Sequence, residues 1–253
     1  SSRAWRHAAG ARLTRTLGVM KPLGSVAQAC PNCGVSLSKM PARKTKCKDC
    51  GLFMFVRTRP QDRAQVLLTE ADAHALEAQW HQYEDDKPQI GPRSEATLAR
   101  VRSALQQQFG KLPSEADVLW RVFNEELLAH VSSQSWALYT HVLYEMAELQ
   151  LAQGREVAAL DLYIQAVLLA LNGPRNIDRE LLSAGYTRFS PPGFIPDRYI
   201  QRMVKAKRAL GLSAKQLEAK FLNTASRTSS ELVLPLSAEN AWNSLAERIA
   251  HDA

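Results

Sequence analysis

The chain has no run of eighteen apolar residues, so no membrane-spanning helix is expected. It has no G-x-x-x-x-G-K-[ST], no G-x-G-x-x-G and no G-x-S-x-G. Its twelve glycines are scattered and build no cradle for phosphate. Six histidines (His7, His74, His81, His130, His141, His251) fall in different segments, and no H-E-x-x-H occurs. His74 and His81 are seven apart and can share a helix face, but no ligand pattern follows them. Asp85-Asp86 and Glu125-Glu126 read as solvated helix ends or faces. No motif carries a catalytic mechanism, so the chain reads as a non-enzyme with no catalytic residue. Acids are nearly missing from residues 1–68, which hold only Asp49 and Asp62. Cysteine is scarce as well, at four in 253 residues.

Those four cysteines are the most informative residues. They form two matched pairs, Cys30-Pro31-Asn32-Cys33-Gly34 and Cys47-Lys48-Asp49-Cys50-Gly51. C-x-x-C lets both sulfurs of a pair point at one metal, and two pairs supply a closed tetrahedron of thiolates. The glycine after each pair suits a positive φ and frees backbone amides to reach the sulfurs. The pattern predicts a structural Zn2+ ribbon with ligands Cys30, Cys33, Cys47 and Cys50. A disulfide or a redox C-x-x-C is the rival, but a redox motif needs one pair beside a βαβ pattern, which is missing. With four thiolates no coordination position is left for a catalytic water. Reduced, metal-bound cysteines fit a reducing compartment, and a cytoplasmic location is expected.

Charge is uneven. Residues 1–68 hold thirteen Lys and Arg against two acids. Residues 69–197 hold ten against eighteen, and residues 198–253 hold nine against five. The basic balance therefore comes from the ribbon end, with a second patch read at Arg198, Arg202, Lys205, Lys207 and Arg208. This asymmetry points to an anionic partner, either DNA or RNA or an acidic protein surface. The candidate nucleic-acid contacts are Lys39, Arg43, Lys44, Lys46, Lys48, Arg57 and Arg59.

Along the chain, residues 1–25 read as a basic extension. Ser1 to Gly18 resembles a transit peptide in composition and lacks the apolar core of a secretory signal. Residues 26–68 are the zinc ribbon. Its segment Val35–Lys46 is expected to be a hairpin arm, and Leu52–Pro60 a strand. Alternation places Phe53, Phe55 and Arg57 on one face and Met54, Val56 and Thr58 on the other. Phe53 or Phe55 is expected to cover the zinc knuckles, although an aromatic beside arginines can also stack a base. Gln61-Asp62-Arg63 reads as a linker. Residues 69–92 read as a connecting helix, capped at Thr69, and a linker with a break at Pro88–Pro92.

Residues 93–253 read as nearly all helix. Helices are expected from Ser94 to Gly110, after Ser114, after Ser133 or Ser135, and after Gly154 up to Gly173-Pro174. Three more are expected over 197–210, 213–224 and 238–251, after an extended Pro191–Pro196 connector. The Trp136–Leu171 hairpin, with Ala147, Gly154, Ala159, Leu160, Tyr163 and Ala166, resembles a tetratricopeptide unit. Only one such unit is present, and a solenoid needs at least about three. The expected fold is mainly α: a small N-terminal β zinc ribbon, then a helical bundle with one repeat-like hairpin. Trp136, Tyr139, Tyr144 and Tyr163 read as core.

The paired knuckles, the strand end Val56-Arg57-Thr58-Arg59-Pro60, Leu67-Leu68-Thr69-Glu70-Ala71 and Gln79-Trp80 together are similar to zinc-ribbon proteins of phages and related mobile elements. So are Gly154-Arg155-Glu156, Ala159–Tyr163, Leu171–Pro174, Leu234–Ser237 and Ala241-Trp242. The resemblance covers most of residues 28–250. It implies a phage, prophage or mobile-element origin and no assigned activity. The functional expectation is a non-enzymatic protein whose basic ribbon binds nucleic acid and whose helical part binds a protein. The alternative is a structural or adaptor subunit with a protein-only interface.

Overall fold

A computed structural model of the chain describes residues 22–251. The basic extension read at 1–25 lies almost wholly outside the described residues. Contacts divide the chain into two compact units, Ser1–Lys87 and Pro88–Ala253.

In the first unit, β1 (Thr45–Lys46), β2 (Phe53–Thr58) and β3 (Gln65–Leu68) form an antiparallel sheet in the order β1-β2-β3. Lys46 pairs with Phe53, Phe55 with Leu68 and Arg57 with Val66. The residues read as a linker, Gln61–Arg63, are the turn of the β2–β3 hairpin. Arg63 takes φ 59° there, and Asp62 accepts from the Ala64 amide at 3.0 Å. Helix α1 (Glu70–Asp86) is capped by Thr69, whose hydroxyl accepts from the Asp72 amide at 3.2 Å. Its Ala73 and Leu76 close over Phe55, Val66 and Leu68. The helix read as a connector is thus the lid of this sheet.

Cross-strand partners share a face. One face carries Phe55, Val66 and Leu68 and takes the helix. The other turns Met54 onto Cys30 and Cys47, with Val35, Leu37 and Cys50 packed around them. The expectation that Phe53 or Phe55 covers the knuckles is corrected: Met54 covers them. Phe55 belongs to the helix side, and Phe53 stays exposed. Alternation ordered the side chains as expected. Which face meets the knuckles depends on how the chain folds over, and alternation does not carry that information.

The second unit is all helix apart from its loops. Its helices are α2 (Glu95–Phe109), α3 (Glu115–Ser132), α4 (Trp136–Ala152), α5 (Glu156–Leu171), α6 (Arg179–Ser183), α7 (Asp197–Ala209), α8 (Ala214–Glu231) and α9 (Ala238–His251). With unit one's α1, this makes the described chain mainly α. Ser94, Ser114 and Ser213 cap α2, α3 and α8, the last two in reciprocal capping boxes with Asp117 and Gln216. Ser135 occupies the α4 cap position but leaves the capping bond to Asn176, which accepts from the Ala137 and Leu138 amides at 3.0 and 3.3 Å. α8 runs to Glu231, beyond the expected end near 224, and α6 was not expected.

α4 and α5 form the central hairpin, with α3, α7 and α8 around it. The run Ala166–Leu171 is buried on every side. Over these last six residues neighbours wrap the whole circumference of α5, so this stretch is apolar all round. Gly193 lets the Pro191–Pro196 connector lie on the end of α5: a Cβ there would sit 1.8 Å from the Ala170 carbonyl oxygen. Trp136, Tyr144 and Tyr163 are buried, as read, and Tyr139 is partly buried. Among the described residues no helix is long and apolar enough to cross a membrane.

Candidate metal centre and basic sheet end

The two knuckles fold alike. In the first, the Cys30 amide donates to the Val35 carbonyl and the Gly34 amide to the Cys30 carbonyl, both at 2.8 Å. In the second, the Cys47 amide donates to Leu52 at 2.9 Å and the Gly51 amide to Cys47 at 3.0 Å. Gly34 and Gly51 take φ +78° and +70° with open space at the Cβ position. Backbone conformation alone therefore selects glycine at both places. Asn32 ties the first knuckle to β2 by donating to the Phe53 carbonyl at 3.1 Å.

All four Sγ atoms lie within 4.8 Å of one another, and the cysteines are unbonded. Two contacts cross between knuckles: Cys30 to Cys50 at 3.8 Å and Cys33 to Cys47 at 3.8 Å. A disulfide needs about 2.05 Å, so these are not bridges. A regular tetrahedron with metal–sulfur bonds of about 2.3 Å has edges of about 3.8 Å. The sulfurs therefore stand where a four-coordinate metal ion would hold them. Burial pushes the Cys30 thiol up, but the Cys33 and Asn32 amides outweigh it and bring it down to about 6. The arrangement can hold a metal ion and stiffen the module.

The predicted cations divide into two sets. Lys39, Arg43, Lys44, Lys46 and Lys48 are all exposed, and none pairs with a carboxylate within 4.0 Å among the described residues. The other two are engaged. Arg57 lies 3.7 Å from Glu77, both side chains solvated; such a pair is worth little and opens readily. Arg59 forks onto Asp62 at 3.2 and 2.5 Å, with its side chain mostly covered. The Ala64 amide and then Arg59 hold the Asp62 carboxyl below its ordinary range. Arg59 thus serves the hairpin turn.

Lys44 Nζ sits 4.3 Å from the Phe53 ring centre and 4.4 Å from that of Phe55. Lys46 Nζ sits 5.1 Å from the Phe53 centre. At an exposed site each such contact is worth about 0.5–1 kcal/mol.

The helical unit holds a charged cluster that sequence reading missed. Arg93 grips Glu145 at 2.8 and 2.6 Å and Glu126 at 3.0 and 2.7 Å, above the Phe123 ring. Glu145 also accepts from the Gly91 amide at 2.6 Å. One turn on, Glu148 accepts from Tyr163 at 2.6 Å and from the Gln89 amide at 2.9 Å, and pairs with Arg202 at 3.0 Å. Arg202, read as part of a surface patch, is buried instead. Glu126, read as solvated, is a partner of Arg93. Burial works to raise the Glu145 carboxyl, but Arg93 and the Gly91 amide bring it below its ordinary value. The i,i+3 spacing of Glu145 and Glu148 within the otherwise apolar run Val142–Leu149 was the sequence signal. It marks acids on a core face, where acids need partners. With their oxygens committed, these carboxylates fasten residues 89–93 to α4.

Comparisons with family models, with curated proteins and with solved structures return no match. The likeness to mobile-element ribbons rests on its quoted motifs alone.

Proposed function

We propose that the first unit is a zinc-stabilised module that binds nucleic acid through its phosphates, and that the helical unit binds a protein partner. Zinc suits a closed four-thiolate set with no open position and no redox role. One observation carries the nucleic-acid reading. Lys39, Arg43, Lys44, Lys46 and Lys48 lie within ten residues, all exposed and none ion-paired among the described residues. They stand on or beside a scaffold that the metal would make rigid. Unpaired cations at this density favour a polyanion, and phosphate contacts need no base readout, so weak sequence specificity is expected. For the helical unit, the surface assigned to a protein partner surrounds Phe109 and Trp120. Both are exposed beside a groove of about 560 Å³ that Leu105 and Pro113 also line.

A gel-shift titration with duplex DNA, single-stranded DNA and RNA tests the reading. Joint replacement of Lys39, Arg43, Lys44 and Lys46 by alanine is expected to weaken binding by about 2–4 kcal/mol, at roughly 1 kcal/mol or less per phosphate contact. Bound metal is expected to be unchanged in that variant. No shift with any of the three would overturn the reading. Loss of a bound protein on the same substitutions would instead make the chain an adaptor.

A further inference from the structure

Phe53 is out of place for a core residue. Phe55, two residues along on the same face, is 8% exposed under α1, whereas Phe53 is 42% exposed. The difference lies in the neighbouring strand. Opposite Phe55 stands Leu68 of β3, part of the apolar surface that the helix covers. Opposite Phe53 stands Lys46 of β1, which offers the helix nothing apolar to bury. Phe53 belongs to none of the apolar clusters among the described residues. Its ring instead lies among ammonium groups, Lys44 Nζ at 4.3 Å and Lys46 Nζ at 5.1 Å from its centre.

We propose that Phe53 is a stacking platform for one unpaired base, so that the module selects single-stranded over duplex nucleic acid. The inference rests on the nucleic-acid reading above and names its substrate class. An exposed aromatic beside cations that track the backbone is the combination that single-strand binding uses, and stacking tolerates any base because every base has a π-face. A duplex keeps its bases stacked on each other and has no free face to give. Lys44 and Lys46 hold the ring only through weak solvated contacts. When a base covers the ring they can swing to the phosphates on either side, so ring and charges act on the same nucleotide.

The test measures fluorescence anisotropy of a labelled single strand and of a labelled duplex of equal length. The full-length protein is titrated at fixed salt, with bound metal checked in every variant. Wild type is expected to bind the single strand more tightly. Phe53→Ala and Phe53→Leu are each expected to weaken single-strand binding about 5- to 150-fold, the range for one lost stack, and to leave duplex binding unchanged. Phe53→Trp is expected to bind the single strand at least as tightly as wild type. If Phe53→Ala unfolds the module, Phe53→Leu and Phe53→Trp carry the test. Equal affinity of wild type for both forms, or wild-type behaviour of Phe53→Leu, would overturn the stacking platform. Either result leaves the phosphate reading standing if the four-cation variant still loses binding. No binding of wild type to either form would overturn both.

Discussion

Cys47→Ser is expected to release the metal and unfold the N-terminal unit while the helical unit stays folded. Cys47 is buried between the knuckles and lies 3.8 Å from Cys33 across the cluster. A serine leaves three thiolates and breaks the closed tetrahedron. Structural zinc contributes about 10–16 kcal/mol in zinc-finger peptides. Among the described residues the apolar groups of this unit form two small sets, one around Phe55 and Leu68 and one around Met54. Cores of this size supply roughly 3–5 kcal/mol. The metal term is the larger, so its loss decides the outcome. Metal analysis should find one zinc per wild-type chain and little in the variant. Circular dichroism should keep the helical signal of residues 88–253. Retained stoichiometric metal, or collapse of the whole helical signal, would count against the account.

Arg93→Ala is expected to cost the helical unit about 3–5 kcal/mol, the range for removing one partner of a buried ion pair. The reason is Glu145, which is 1% exposed and would lose the guanidinium that offsets its burial. The same argument fixes where a fragment must begin. Residues 88–253 carry Gln89, Gly91 and Arg93, which satisfy Glu148 and Glu145. A fragment from 94 discards all three and leaves both carboxylates short of partners, so it should be far less stable in urea than 88–253. The pH dependence has a definite sign. The folded Glu145 carboxyl titrates below its ordinary value. Its stabilisation is therefore complete above the unfolded pKa of about 4.3 and disappears as pH falls through the folded value. The gap between wild type and Arg93→Ala should be widest near neutrality and narrow below about pH 4. Equal stability of the two fragments would show that residues 88–93 do not fasten α4.

The candidate metal ligands were legible because their information is local: C-x-x-C-G twice states both the clustered thiols and the turns. The helices were legible for a related reason. Ser94, Ser114 and Ser213 state their own starts, and period does the rest. What escaped depends on contacts between distant residues. Met54 rather than Phe53 lies over the knuckles because of how the sheet is covered. Arg202 sits in a sequence run rich in Arg and Lys, yet α7 turns it inward to Glu148 on α4. α4 takes its cap from Asn176, some forty residues on, where no local pattern points. The candidate binding face was half legible. The cations can be read from composition, but which are free and which serve a turn is settled by Asp62 and Glu77.

The salt dependence of binding tests the central claim most directly. Five phosphate contacts on a single strand predict that log Kobs falls against log salt with a slope of about −3.5, at roughly −0.7 per contact. The variant lacking Lys39, Arg43, Lys44 and Lys46 should flatten that slope to near −0.7. A wild-type slope near zero, or no binding of any nucleic acid at about 0.1 M salt, would contradict the account.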